Sequence, residues 1–333
     1  MKNYLKRKYR YEFWPFWLFY APFVPVWLYY SIKSRSFTYF TNSNPGIENG
    51  GFIQYSKYNI IKQISTQFLP KTVFIKKEQL FTIKESHLPS PFPLIVKPDF
   101  GERGKGVFLV HNLETLFQVF KASPEDYIIQ EYIDYPIELG VFYYHFPENK
   151  DYGITGITTK DFLIFYGDGK TSLQDFILQN IRAYGRKDYL LKKYSQQLHT
   201  ILPKGEQMLL EPIGNHNRGT TFLDQSELIT PKLIDLFHTI SKEIEGFHYG
   251  RFDLKVQSLE DLRKGHFKIF EVNGANSEAT HIYDPIKYNL FSAYSEVLKH
   301  LKIQYKIAKQ NKKNGFHYQN PKDFFYQLTS HFK

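Results

Sequence analysis

Strands and helices interleave along the whole sequence with no internal repeat or low-complexity segment, so a mixed α/β or α+β protein is predicted. Composition supports a large folded core. Of 333 residues, 42% are hydrophobic and only 23% charged, far from the low hydrophobicity and high charge of a disordered chain. Aromatic residues make up 18% of the chain, with Phe 31, Tyr 26 and Trp 3. The length accommodates one large domain or two to three modest ones. Cysteine is absent, which removes a disulfide framework, thiolate catalysis, iron–sulfur clusters and cysteine-bound structural zinc. The cytoplasm is the expected compartment.

The first segment is basic, with Lys2, Lys6, Arg7, Lys8 and Arg10 ahead of an uncharged run, 13–31, that reads FWPFWLFYAPFVPVWLYYS. On hydropathy alone such a run is long enough to cross a membrane. Pro15, Pro22 and Pro25 oppose that reading, because each removes a helix hydrogen bond that hydrocarbon cannot replace. Glu12 before the run and the lack of a small-x-small cleavage site after it argue against a signal peptide. Two expectations stand: a segment lying in the bilayer interface as a peripheral membrane contact, or an arm packed on its own domain or on a second subunit of a homodimer. The net charge of +10 suits anionic partners such as nucleotides, nucleic acid or acidic lipid. Without a zinc-finger, helix-turn-helix or aromatic RNA-binding pattern, nucleic acid is set aside.

Past the arm, 37–40 reads as a short strand ending in the polar loop 41–51, TNSNPGIENGG. A helix fits 56–68, with Ile60, Ile61, Ile64 and Phe68 at helical spacing and Pro70 as its stop. Strands are expected at 72–75, 93–98 and 107–110, a helix at 113–121 and a buried strand at 127–133. Helices follow at 173–182 and 231–245, with strands at 249–257 and 267–273 after the second. A last amphipathic helix, 285–310, carries Leu290, Tyr294, Val297, Leu298 and Leu301 on one face.

Two stretches carry chemistry. The first, IVKPDFGERGKGVFLV at 95–110, puts Lys97 on a strand ahead of Gly101, Gly104 and Gly106, a Cβ-free backbone whose amides can close over phosphates. The sequence GDGKTS at 167–172 lacks the leading glycine of a P-loop. The second stretch pairs GRFDLKV at 250–256 with FKIFEVNG at 267–274. Alternation places Arg251, Asp253 and Lys255 on one face and Glu271 with Asn273 on another. Paired as a hairpin, they would bring two carboxylates and an amide oxygen beside a guanidinium, all hard ligands of the kind Mg²⁺ prefers. Glu271 inside an apolar run also makes accidental burial costly.

Over roughly 55–284 these motifs, in this order, resemble the ATP-grasp superfamily of carboxylate-amine ligases. The resemblance implies an α+β ATP-grasp fold, in which two α+β subdomains clamp ATP between antiparallel sheets. It implies residues 1–54 as an aromatic arm and truncated leading segment, 55–300 as the ATP-grasp domain (70–133 the small ATP-binding subdomain, 134–300 the metal and substrate subdomain) and 301–333 as a basic tail. GRFD and EVN look like the metal end of D-alanine-D-alanine ligases, with Asp253, Glu271 and Asn273 holding two Mg²⁺, replaceable by Mn²⁺, and Arg251 at the reacting phosphoryl. IVKP and its glycines are similar to the phosphate-covering segment. YIIQEYIDYPIELGV looks like the hinge strand, where Gln130, Glu131, Tyr132 and Ile133 lie along adenine and Glu138 near the ribose. SKYNIIKQI matches the helix whose lysine, here Lys57, reaches the α-phosphate. GDGKTSLQDFI and LPKGEQ resemble segments of cyanophycin synthetase and bifunctional glutathione synthetases, and GNHNRGT the Asn215-to-Arg218 turn of ligases that add glutamate to a protein C-terminus.

The expected reaction has a substrate carboxylate attack the γ-phosphate of ATP, after which an amine displaces phosphate from the acylphosphate. Lys57, Lys97, Arg218 and Arg251 compensate the charge. Small-molecule or peptide-like carboxylates and amines are the expected substrates. Within the same fold a kinase acting on a hydroxyl, or a non-catalytic nucleotide-binding scaffold at a membrane surface, are the alternatives. After Asn273 the chain reads GANSEATHIYDP, with Ser277 where D-alanine ligases carry a glycine and His281 in register, so a substrate other than D-alanine is expected at Ser277 and His281. The loop SNPGIENGG is the candidate to replace the missing leading domain at the substrate site.

Overall fold

A computed structural model describes residues 2–101, 106–149, 151–212 and 214–331, so Gly104 lies outside the described residues. It is an α+β protein. In chain order the strands are β1 (Thr72–Ile75), β2 (Leu94–Pro98), β3 (Phe108–Val110), β4 (Tyr127–Glu131), β5 (Ile137–His145), β6 (Tyr152–Asp161), β7 (Leu163–Tyr166), β8 (Gln207–Glu211), β9 (Thr221–Asp224), β10 (Tyr249–Val256) and β11 (Lys268–Asn273). They divide between two compact units. The larger is Val26–Ile157, Gln225–Ala279 and Val297–Lys333; the smaller is Met1–Pro25, Thr158–Asp224 and Thr280–Glu296.

The larger unit holds two sheets. In the first, antiparallel strands run in the order β1-β4-β2-β3. The helix Leu113–Ala122 starts where Asn112 accepts a hydrogen bond from the Thr115 amide, and it buries Leu116 and Phe120 with Leu94, Val96 and Ile129. The second sheet runs β11-β10-β5-β6. Behind it the helix Pro231–Glu243, capped by Thr230, has Pro231 at its first position, where the missing amide costs nothing. Its Phe237 stacks on Phe267 at 5.4 Å. These apolar side chains join Leu139, Val141, Phe252, Leu254 and Ile269 in one core.

In the smaller unit β7 pairs with β8, and the last residues of β6, Thr158–Asp161, pair with β9. Ser172 caps the helix Leu173–Gln179, which buries Leu173 and Ile177 against Leu163, Phe165 and Leu210. The aromatic arm belongs to this unit through residue 25. Its prolines break the run into short pieces: Pro15 precedes the helix Phe16–Tyr20, Pro22 lies in the 3-10 turn Ala21–Phe23, and Pro25 sits in the first turn of the helix Val24–Ser34. Among the described residues no helix is long and apolar enough to cross a membrane.

Three expected elements differ. Residues 37–40 do not form a strand; the chain turns through a buried 3-10 segment, Tyr39–Ser43. There the Thr41 and Ser43 hydroxyls donate to the Thr38 and Phe40 carbonyls, offering the backbone a partner other than a neighbouring strand. The helix expected over 56–68 spans only Lys57–Ile61, with a 3-10 turn at Thr66–Phe68, because Glu243 takes the Ser65 amide and hydroxyl between them. The last long helix starts at Leu290 rather than 285, since the Asp284 carboxylate accepts from the Ile286 and Lys287 amides, and it runs on to Lys313. A further helix, Pro321–His331, follows, with Phe324 buried against Phe40 and Phe52.

Candidate active site

Strands β10 and β11 set the register of the site in the larger unit. Arg251 lies opposite Asn273 and Asp253 opposite Glu271, with an irregularity after Asp253. Two residues apart on one strand, Arg251 and Asp253 share a face, and the guanidinium donates twice to the carboxylate, Nε to Oδ1 at 2.8 Å and Nη2 to Oδ2 at 2.9 Å. Burial disfavours the charge on Arg251, yet Asp253 and Glu271 outweigh it and hold the guanidinium more firmly protonated than usual. Asn273 donates its amide to Asp253 Oδ2 at 3.0 Å. Across the sheet, Gly140 of β5 faces Asp253. A Cβ there would lie 3.0 Å from Arg251 Cδ and 3.3 Å from Asp253 Oδ1, so any larger residue would press on the pair.

Two lysines from elsewhere in the unit complete the cluster. Lys57, the first residue of its helix and buried, meets Glu271 Oε1 at 2.7 Å. Asp99, just past β2, accepts from the Tyr58 amide at 2.8 Å and so fixes that helix start. Lys97 on β2 donates to the Phe270 carbonyl at 2.6 Å, tying the first sheet to β11. Burial lowers its ammonium to about 8 despite the nearby Glu271. For Glu271 burial pushes the carboxyl up, but Lys57, Lys97 and Arg251 prevail and hold it well below the usual carboxylate range.

Of the hinge residues, Gln130 is buried and donates to the Thr72 hydroxyl at 3.2 Å, and the Glu131 carboxylate accepts from the Lys71 amide. The Ile133 carbonyl accepts from Lys255 Nζ, which lies over the Tyr132 ring. Glu138 is buried opposite Lys255 in the β5–β10 ladder. Gly101 lines a cavity of about 670 Å³ with Glu48, Asn49, Gln54, Tyr55, Phe100, Gln319 and Gln327. The cavity touches the cluster through Tyr55, whose hydroxyl donates to Asn273 Oδ1 at 3.4 Å. Part of its wall is the ENGG turn, where Gly51 passes so close to Gly274 that a Cβ would sit 2.8 Å from the Gly274 Cα. Gly106 takes a positive φ of 76°.

Other expected site residues have structural partners. The Ser277 hydroxyl donates to the Asn273 and Gly274 carbonyls and closes the turn after β11. Asn215, Arg218 and His281 lie in the smaller unit. Asn215 caps the 3-10 turn His216–Arg218 by accepting from the Asn217 amide. Arg218 faces the buried Glu211 at 3.5 Å, and His281 is buried with its Nε2 3.9 Å from Glu296. Among the described residues no group of three or more His, Asp or Glu is arranged to hold a metal ion.

Sequence reasoning missed Tyr55, Asp99, Gly140, Gln319 and Gln327. Asp99 stood in PDFG beside the glycine cluster, and Gly140 interrupted an otherwise large-residue strand; both were readable signals. The glutamines come from a terminal segment whose Pro321 and Asp323 mark a helix start.

Against known proteins, residues 40–140 match the tubulin-tyrosine ligase family. No curated protein matches the sequence. Among solved structures the chain is similar to a bifunctional glutathione synthetase from Pasteurella multocida (15% identity, TM-score 0.40, covering 73% of this chain and 36% of that one). It is also similar to the VanG D-Ala:D-Ser ligase from Enterococcus faecalis (15%, 0.39, 75% and 60%) and to a D-alanine–D-alanine ligase from Bacillus anthracis (14%, 0.39, 74% and 64%). The chain thus spans between about a third and two thirds of the length of these structures. The family match takes in Lys57, Lys97, the glycine cluster and the Gln130–Glu131 strand, and the fold that carries them is α+β, built on antiparallel sheets.

Proposed function

We propose that this chain is an ADP-forming, ATP-dependent carbon–nitrogen ligase. The observation that carries the reading is the convergence of Lys57, Lys97 and Arg251 with Asp253, Glu271 and Asn273 from three separate segments of the larger unit. Lys57, Lys97 and Arg251 bring three cations together, which suits the phosphates of a nucleotide. The oxygen donors of Asp253, Glu271 and Asn273 fit magnesium, with no soft ligand among them, and two carboxylates leave the rest of a coordination shell to phosphate and water. Bound there, Mg²⁺ or Mn²⁺ would neutralise charge on the transferring phosphoryl group.

The chain's own residues supply the remainder. A substrate carboxylate oxygen attacks the γ-phosphorus and ADP leaves; an amine nitrogen then attacks the acyl carbon, loses a proton and expels phosphate. Neither step needs a side-chain nucleophile. Lys97 and Lys57 offset charge on the phosphates, and Arg251, locked by two bonds to Asp253, needs no reorganisation as charge develops. The cavity beside the cluster, lined by side-chain amides and the Glu48 carboxylate, suits a polar substrate bearing an amino group. The test is ADP release in a screen of acids and amines, with hydroxylamine as trap. A hydroxamate formed from the donor acid supports an acylphosphate; phosphate transferred to a hydroxyl with no hydroxamate overturns the ligase reading.

A further inference from the structure

We propose that the aromatic arm is a docking surface for an anionic lipid bilayer, on which it lies without crossing. The arm is fastened to its own unit by particular rings. Phe19 and Phe23 are buried, each edge-on to Tyr294 at 5.3 and 4.9 Å, and the Tyr11 hydroxyl donates to the Ile282 carbonyl. Between and around these anchors the chain is exposed and uncharged: Pro15, Phe16, Trp17, Leu18, Ala21, Pro22, Val24 and Pro25. Phe16 is 56% and Trp17 69% exposed, on a helix whose inward residue, Phe19, is held in place. Apolar exposure presented by a fixed backbone marks an interaction surface more strongly than scattered exposure does.

Charge selects the partner. Glu12 is the only acidic residue in the first 47, and its side chain is buried against Arg182. The outward side of the arm therefore carries no negative charge, whereas Lys6, Lys8 and Arg10 are exposed. Tryptophan and phenylalanine favour the headgroup boundary, and nearby lysine and arginine add attraction to acidic headgroups. A second copy of the chain is the poorer occupant, since a two-fold contact would bring two copies of the same basic patch together.

The experiment is co-sedimentation of the full chain with phosphatidylcholine vesicles, with and without phosphatidylserine, beside sedimentation velocity in solution. Expected is binding to the phosphatidylserine vesicles, weakened about tenfold by Phe16→Ser with Trp17→Ser and weakened by salt or by Lys6→Glu with Lys8→Glu. An unchanged melting temperature shows the exposed substitutions leave the fold intact. Failure to bind the acidic vesicles, binding indifferent to Phe16 and Trp17, or a dimer lost in the double variant would each overturn the proposal. None of these outcomes depends on ligase turnover.

Discussion

Arg251 with Asp253 and Arg182 with Glu12 are the same chemical pair in two settings. The first joins residues two positions apart on one strand, so forming β10 already makes it. It sits among Lys57, Lys97, Glu271 and Asn273, beside a cavity of about 670 Å³. The second joins residues 170 positions apart, at 2.5 Å. Arg182 also donates to the Thr220 carbonyl and faces His216, and the adjoining cavity is about 60 Å³, room for a water or two. A local pair in an open, cation-rich setting holds its own geometry and leaves room beside it for a ligand. A long-range pair whose guanidinium also holds a backbone carbonyl ties one segment of chain to another. Separation in sequence and the space beside the pair distinguish the two uses better than burial does.

The sharpest break concerns the open cluster. Glu271→Gln should lower ADP release by about a thousandfold, ~4 kcal/mol of barrier, with the fold retained by circular dichroism; more than about a tenth of turnover retained removes the metal and phosphate roles. Next is the closed pair. Glu12→Ala leaves Arg182 buried and uncompensated and should cost about 3 kcal/mol, read as a lower denaturation midpoint and faster tryptic cleavage at Lys6, Lys8 and Arg10. Arg182→Met in that background should restore much of the loss, while nucleotide affinity stays unchanged in both variants.

Acid should not attack Glu12 or Glu271 first. Burial raises the Glu12 carboxyl, but His216 and Arg182 more than reverse it, and Glu271 is likewise held low. His145 and His248 differ: burial lowers each imidazole to about 4, and their Nδ1 atoms stand 3.2 Å apart. Between about 4 and the usual 6.5 the unfolded chain binds protons that the native chain refuses, so stability is whole above 6.5 and falls as pH drops. The denaturation midpoint should therefore be lower at pH 5 than at pH 7, with His248→Asn flattening the profile. Smallest is Tyr55→Phe, which removes one long hydrogen bond to Asn273 and should change turnover only a few-fold, about 1 kcal/mol.

The open cluster was legible where spacing alone placed side chains. Alternation put Arg251 beside Asp253 and Glu271 beside Asn273, and the ladder adds their register. Lys97 stood out beside the glycine cluster and Lys57 only through the resemblance; what joins them to Phe270 and Glu271 is tertiary packing, which spacing does not show. Prolines announced that the arm would break, but not that Glu12 would reach Arg182. Residues 37–40 misled because the Thr41 and Ser43 hydroxyls bond the local backbone, a competition that β-propensity does not register. The Asn215 side-chain oxygen and the Ser277 hydroxyl turn out to bond the turns that carry them.

The fastening of the arm also orders events in time. Glu12 waits for Arg182, and Tyr11 for the carbonyl of Ile282, 271 positions later. At the ~5–20 residues per second of ribosomal synthesis, the uncharged aromatic run leaves the ribosome on the order of 10 s or more before Tyr294 can cover Phe19 and Phe23. During that interval the whole run, not merely its outward half, is available to a chaperone or to a nascent neighbour.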